Sequence, residues 1–478
     1  MKEIDIKIFE QLFKEHFGID ATCVESIPMS GSDRRYYRLK SEKFSAVGTF
    51  NENIAENNSF YYFTELFKKH EIAVPELYKT AKDRRYYLQQ DLGNTTLFDV
   101  LNEKGLVDEV KQYYRLSLAQ LAKLQWMAGR EVDYNQCFGM KQFDEKAILS
   151  DFHYFKYYFA DLHKVVYDKV EVGNEMEEMC KDLGRIQPKM LMYRDFQSRN
   201  IMIFEGKPYF IDYQGCMQGP PQYDVASLLW QAKAQLPKKW KDELLNSYIT
   251  SINELPMAKV DEMYLRKGYQ QFVLLRLIQV LGAYGFRGLL ERKPHFVSSI
   301  LPGLQNMDAF LDENPQIPNY PKLRKLLESL SSKEIIRNYE PIIKETQLKI
   351  DIYSFSYKKG IPNDTSNNGG GFVFDCRGIL NPGRQDQYKK LSGKDAAVQY
   401  FLNNETKMPQ FLNHVKEVVE ISVEDYINRG FEHLMISFGC TGGQHRSVFA
   451  AEQLAQHLKS KFNINASVFH TNENNWVK

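Results

Sequence analysis

The sequence has no Cys-x-x-Cys pair, no internal repeat and no excess of charge of either sign. Its six cysteines, Cys23, Cys137, Cys180, Cys216, Cys376 and Cys440, are scattered, which excludes a disulfide framework and a clustered zinc site. Most are expected to be small buried apolar residues in a reducing compartment. With 62 basic and 61 acidic residues the net charge is +1, so no global field draws the chain to nucleic acid or anionic lipid. The opening MKEIDIKIFE is too charged for a signal-peptide core, and no run of about 18 apolar residues offers a membrane span. We therefore expect a cytoplasmic protein with no membrane partner.

What is present suits folded domains. At 478 residues, 43% hydrophobic and 13% aromatic, the chain exceeds one core and can fill two or three. Residues 4–17 read as an amphipathic helix with Ile4, Ile8, Phe9, Leu12 and Phe13 on one face. Next come β-prone runs around IPMSGSDRRYYRL and KFSAVGTF, a helix SFYYFTELFKKH, and a strand pair ending at YYLQQDLG. From about Thr95 the pattern is helical, interrupted near residue 190 by IMIF, EGKP and YFI, which read as a hairpin. Pro315, Pro318 and Pro321, followed by the charged KLRKLLESLSSKEIIRNY, mark a connection between domains. Beyond it LKIDIYSFSY, GFVFDC and HLMISFGC read as strands of a second β/α unit, with helices NHVKEVVEISVEDYINRG and RSVFAAEQLAQHLKSKF.

The most informative stretch is LMYRDFQSRNIMIF followed by YFIDYQG. Asp195 and Asn200 have the D-x-x-x-x-N spacing of a kinase catalytic loop, and Asp212 follows on the second strand of the hairpin. One short loop and one hairpin bring a base to the attacking hydroxyl while an amide oxygen and a second carboxylate meet magnesium across the transferring phosphate. Asp224, just before a helix in GPPQYDVASLL, is read as support for that loop.

On these residues, 20–325 resemble the aminoglycoside/choline kinase superfamily, whose H-G-D-x-x-x-x-N appears here as Tyr193-Arg194-Asp195 through Asn200. RDFQSRNIM, IDYQGCMQGPPQYDVASLL and GSDRRYYRL are most similar to bacterial amino-sugar anomeric kinases (AmgK type), which phosphorylate N-acetylmuramate and N-acetylglucosamine at the 1-hydroxyl. The resemblance implies ATP and Mg2+, a sugar acceptor, Ser32, Asp33 and Arg34 above the ATP phosphates, and Gln90, Asp91 and Leu92 at the adenine hinge. The family's phosphate-binding lysine is missing from AVGTFNEN, so Arg34, Arg35 or Arg199 is expected to supply its charge, and Gln197 stands where the motif more often has histidine.

In the second unit, HLMISFGCTGGQHRSVFAAEQL reads as strand, turn and helix, an arrangement that aims backbone N–H groups at an anion. Thr441, Gly442, Gly443, His445 and Arg446 are the expected anion site. Cys440 to Arg446 also fits the C-x5-R loop of cysteine phosphatases. SFSYKKGIP, FDCRGILNP and GCTGGQHRSVFAAEQL make residues 348–478 resemble the C-terminal domain of the RNase adapter family (RapZ), which implies a sugar-phosphate-binding module that also contacts a small RNA. Its 15 Lys/Arg against 13 Asp/Glu are a weak footprint for RNA.

The expected architecture is α+β: a protein-kinase-like two-lobed phosphotransferase with an N-lobe at 1–94 and a helical C-lobe at 95–325, a linker at 326–347, then a smaller α/β domain at 348–478. The function it suggests is ATP-dependent transfer to a small-molecule hydroxyl under a sugar-phosphate-binding regulatory domain; the alternative is a catalytically weak adapter that binds nucleotide, sugar phosphate or RNA.

Overall fold

The computed structural model describes residues 5–27, 34–256, 260–340, 348–364, 366 and 370–477. It divides into two compact units, Met1–Tyr339 and Glu340–Lys478.

The first unit opens with helix α1 (Ile6–Phe17), capped by the Asp5 side chain, which accepts the Lys7 N–H, and ended by Gly18 at φ 73°. Strands β1 (Cys23–Ile27), β2 (Arg35–Lys40) and β3 (Ser45–Phe50), helix α2 (Ile54–Lys69), and strands β4 (Leu77–Thr80) and β5 (Tyr86–Gln90) follow. The sheet is antiparallel, in the order β1-β2-β3-β5-β4. Phe9 and Phe13 of α1 cluster with Leu39, Ala46 and Leu88 of the sheet. A Cβ on Gly48 would lie 2.6 Å from the Phe9 ring, so this close helix approach requires glycine in β3.

The helical lobe comprises α3 (Leu97–Lys104), α4 (Asp108–Trp126), α5 (Glu145–Tyr158) and α6 (Lys169–Gly184), then strand β6 (Met190–Met192). The hairpin β7 (Ile201–Phe204) and β8 (Lys207–Phe210) turns through Glu205 and Gly206, at φ 48° and 73°, as a two-residue turn with left-handed central residues must. Strand β9 (Met217–Gly219) pairs with β6, and α7 (Pro221–Leu229), α8 (Lys238–Asn253), α9 (Glu262–Tyr284), α10 (Pro294–Glu313), α11 (Pro321–Leu330) and α12 (Lys333–Arg337) complete the unit. A π-helical turn, Gly285–Leu290, continues α9. Although the sequence shows no unbroken apolar run, Leu265–Leu290 is long and apolar enough to cross a membrane by length and composition; 61% of its most apolar window is buried in the protein.

The stretch 326–347, expected as a linker, begins inside the first unit. Leu326, Leu327, Leu330 and Ile336 are buried in that unit's main core, because the leucines of α11 recur at helical spacing beneath its charged face.

The second unit is a parallel four-stranded sheet of β10 (Lys349–Ser356), β11 (Gly371–Asp375), β12 (His433–Cys440) and β13 (Asn465–His470), in the order β11-β12-β10-β13. Helices α13 (Ala396–Asn404), α14 (Met408–Arg429) and α15 (Arg446–Phe462) supply the crossovers and cover. Ile352, Ile436 and Phe438 form one core with Val419 and Val423 of α14 and Leu454 and Leu458 of α15. The chain is thus a kinase-like α+β unit followed by a smaller α/β unit.

Candidate active site

Strand β6 ends at Met192 and the chain turns through Arg194, whose φ is 80°. That left-handed backbone is costly for an arginine, and the buried Asp224 of α7 offsets the cost. Its carboxylate accepts the N–H groups of Tyr193 (2.7 Å) and Arg194 (2.9 Å) and the Gln125 side-chain amide (2.8 Å). Burial pushes the Asp224 carboxyl up to about 7 against the pull of these donors.

The Arg194 guanidinium turns away from the loop to grip Asp151 of α5, with one nitrogen 2.9 and 3.0 Å from the two carboxylate oxygens. Pinned in this way, the loop presents Asp195 with its side chain half exposed. Arg276 of α9, itself buried, reaches an Asp195 oxygen at 3.4 Å and also donates to the Tyr223 hydroxyl and Gln279. Asn200 donates to the Asp195 carbonyl oxygen at 2.9 Å, and Ile211 N–H donates to the Asn200 carbonyl at 3.0 Å, so loop and hairpin hold each other.

Asp212 does not lie on the second hairpin strand as expected. Strand β8 stops at Phe210, and Asp212 stands beyond it at φ 69°, its exposed carboxylate accepting from Gln214 at 2.8 Å. The left-handed residue ends the extended backbone there. Across from it, buried Arg34 lies 3.9 Å from Asp212 and 3.1 Å from Glu56 of α2. Glu56 is held in turn by Asn51 at 2.9 Å. Arg34 thus lies between a helix glutamate and this aspartate.

Ser32 and Asp33 lie outside the described residues. Gln90 ends β5, Leu92 is buried, and the Asp91 carboxylate is engaged within the fold by Arg38 at 2.8 and 3.0 Å, by Ser45 and by Gly93 N–H. Arg199 is exposed on the short 3-10 turn Ser198–Asn200. Sequence reasoning missed Glu56, Asp151 and Arg276. Their signals were faint: a glutamate in the first turn of the helix after β3, and one buried charged residue in each of two long helices.

An ion fits the donor set here. Asn200 and Asp212 offer one amide and one carboxylate, which suits a hard cation that takes its remaining oxygens from phosphates and water. Among the described residues no group of three His, Cys, Asp or Glu gathers to hold a metal alone.

In the second unit two side chains of the expected anion site turn to carbonyls of the fold. The Arg446 side chain is buried and donates to the carbonyls of Ile379 (2.8 Å), Arg377 (3.1 Å) and Cys376 (3.4 Å). His445 is buried against the Tyr388 carbonyl at 2.8 Å, and burial lowers its pKa. Both side chains therefore close the fold around the loop after β11, which would otherwise bury carbonyls without donors. Thr441 and Gly442 remain exposed at the end of β12, and Gly443, at φ 64°, packs its backbone against Ser356. The Cys440 sulfur is buried, 3.2 Å from Gly443 N–H and 3.1 Å from the Ser447 hydroxyl.

A β-rich lobe, a helical lobe and a loop of this construction define the first unit as a kinase-like phosphotransferase fold. Residues 24–259 match the model of the "Phosphotransferase enzyme family", and residues 348–474 match that of the "RapZ C-terminal domain". The chain thus joins a phosphotransferase-family domain to a RapZ C-terminal domain.

Among solved structures it is similar to choline kinase LicA from Streptococcus pneumoniae, at 14% identity and TM-score 0.42, over 63% of this chain and 99% of that one. It is also similar to choline kinase from Cryptosporidium parvum, at 12% identity and TM-score 0.47, over 67% and 99%. Curated relatives include a "nucleotide-binding protein" of Endomicrobium trichonymphae, 42% identical over 114 residues, and another of Dinoroseobacter shibae, 40% identical over 112. These alignments cover 24% and 23% of this chain and span 38% and 36% of those relatives.

Proposed function

We propose that the first unit transfers the γ-phosphoryl group of ATP to a small-molecule hydroxyl, the anomeric hydroxyl of an amino sugar of the N-acetylmuramate or N-acetylglucosamine type. The observation that carries this reading is the half-exposed Asp195 carboxylate on a loop pinned by Asp224, with Arg34 set between Glu56 and Asp212.

In this reading Asp195 takes the acceptor's proton and Arg276 fixes the orientation of its carboxylate. Arg34 balances phosphate charge from within the fold, and Glu56 keeps it in place. Asn200 and Asp212 would hold Mg2+, which when bound neutralises charge on the phosphate oxygens. The amino-sugar acceptor is supported by the similarity of RDFQSRNIM and IDYQGCMQGPPQYDVASLL to the anomeric kinases.

For the second unit we propose a sugar-phosphate site at the carboxyl ends of the parallel strands β10 and β12, where open α/β sheets bind ligands and where Thr441 and Gly442 are exposed. His445 and Arg446 shape that loop from behind. Measuring ATP consumption against amino sugars, hexoses and aminoglycosides tests the catalytic reading. Turnover confined to amino sugars supports it, and no turnover with any acceptor would leave the adapter alternative.

A further inference from the structure

A pocket in the helical lobe shares no lining residue with the candidate active site. It opens between α8, α9, α10 and Trp230, the residue that follows α7, and has a volume of about 220 Å³. Trp230, Leu245, Val273 and Phe310 give it apolar walls, with the Phe310 ring edge-on to the Trp230 indole at 5.5 Å. An apolar cavity of about 150 Å³ holds benzene, so this volume admits one ring with a small substituent.

The charged residues around it are paired with one exception. Lys238 meets Glu313 at 2.9 Å, and Arg266 meets Glu262 at 2.7 Å. Asp242 is exposed. Lys241 differs: its ammonium lies 3.4 Å from the centroid of the Trp230 ring, and among the described residues it has no carboxylate within salt-bridge distance and no hydrogen-bond acceptor. An indole face attracts the charge but leaves the three N–H donors open. Burial pulls the Lys241 pKa down to about 8, against the opposing charges of Glu313 and Asp242.

A second donor belongs to the same space. Tyr269 lines the pocket at 7% exposure, and its polar neighbour is the Trp230 indole N–H, which can only donate. Among the described residues the proton of the Tyr269 hydroxyl therefore has no acceptor. A buried hydroxyl and a half-buried ammonium, both without acceptors, each cost stability until a ligand supplies one.

We propose that this pocket is a binding site for a small aromatic carboxylate, whose ring rests among Trp230, Val273 and Phe310 while its carboxylate accepts from Lys241 and Tyr269. One negative charge matches the one open cation. A neutral ring leaves the ammonium unanswered, and a cationic one is repelled. The site is independent of the phosphotransfer reading and stands or falls apart from it.

The test titrates the full chain with benzoate, benzamide and benzylamine, following binding by ligand-observed NMR and calorimetry. Benzoate should bind saturably and about tenfold or more tighter than benzamide, the worth of one charge-assisted hydrogen bond, with benzylamine weakest. Lys241→Gln should abolish that preference, Lys241→Arg should keep part of it, and Tyr269→Phe should weaken benzoate by roughly three- to tenfold. Lys241→Met separates ligand binding from architecture. A lysine kept for a ligand is a cost to the empty fold, so this variant should melt at or above the wild-type temperature while losing benzoate. Absence of saturable benzoate binding, benzamide bound as tightly, a preference unmoved by Lys241→Gln, or a Lys241→Met protein that melts well below wild type would each overturn the inference.

Discussion

Two loops in this chain each follow a strand and each carry an arginine within a recognisable motif. In the first unit Arg194 and the buried Asp224 hold the backbone, and the Asp195 carboxylate is left half exposed. In the second unit His445 and Arg446 are themselves the buried braces, and what faces solvent is Thr441 and Gly442. In both loops the arginine is thus a brace, and in the proposed reading the first loop leaves a carboxylate exposed to react. Burial, with the partner it forces on each group, separates the two roles.

The comparison breaks most visibly if Asp195 is dispensable. Asp195→Asn keeps the size of the side chain and its contact with Arg276 but cannot take a proton, so phosphoryl transfer should fall by about 10² to 10⁴. Nucleotide binding, measured by calorimetry, should stay within a few fold. Near-normal turnover would move Asp195 into the same architectural class as Arg446.

Arg446→Ala tests the other side. Removing a buried guanidinium that serves three carbonyls should cost about 2–4 kcal/mol and lower the melting transition of the second unit by several degrees, while that of the first unit stays in place. Loss of sugar-phosphate binding with unchanged stability would instead return Arg446 to the ligand face. Arg34→Ala sits between these cases, since Arg34 is buried like Arg446 but borders Asp212. We expect weaker ATP binding by roughly 10- to 100-fold, from one charge-assisted pair, with partial recovery in Arg34→Lys.

Much of this was readable in the sequence because it is local. The hairpin followed from IMIF, EGKP and YFI, and the D-x-x-x-x-N spacing from six consecutive residues. The partners were not local: Arg276 comes from α9, 81 residues beyond Asp195, and Asp151 is 43 residues before Arg194. Nothing in a single sequence joins such positions. The inward turn of His445 and Arg446 was hidden for the same reason, because Tyr388 and Ile379 lie 57 and 67 residues away. Strand β13 was overlooked because NASVFH is short, and it is fixed by pairing with β10 rather than by its own pattern.

Asp224 gives the comparison a pH axis. Its carboxyl is held up to about 7 by burial, so between the ordinary carboxylate range and that value the folded protein keeps a proton that the unfolded chain has released. Its contribution to stability is therefore fully present below pH 4 and fades as pH rises toward about 7. Asp224→Asn should flatten this slope in denaturation curves of the first unit. An unchanged slope would show that Asp224 ionises freely in the fold.

The smallest effect is expected at Cys440. Its sulfur is buried between Gly443 N–H and the Ser447 hydroxyl, and a serine oxygen can occupy the same two contacts, so Cys440→Ser should change stability by less than about 1 kcal/mol. A cysteine phosphatase would behave differently. There the thiolate attacks phosphorus while the arginine that ends the five-residue loop grips the phosphoryl oxygens. In this chain that arginine donates through one guanidinium nitrogen to the carbonyls of Cys376, Arg377 and Ile379. A phosphate-release assay on the full chain with glucosamine 6-phosphate and a sugar 1-phosphate should therefore give no signal, in wild type and variant alike. Release that is present in wild type and absent in Cys440→Ser would make this second loop a reacting one, and the contrast with the Asp195 loop would no longer hold.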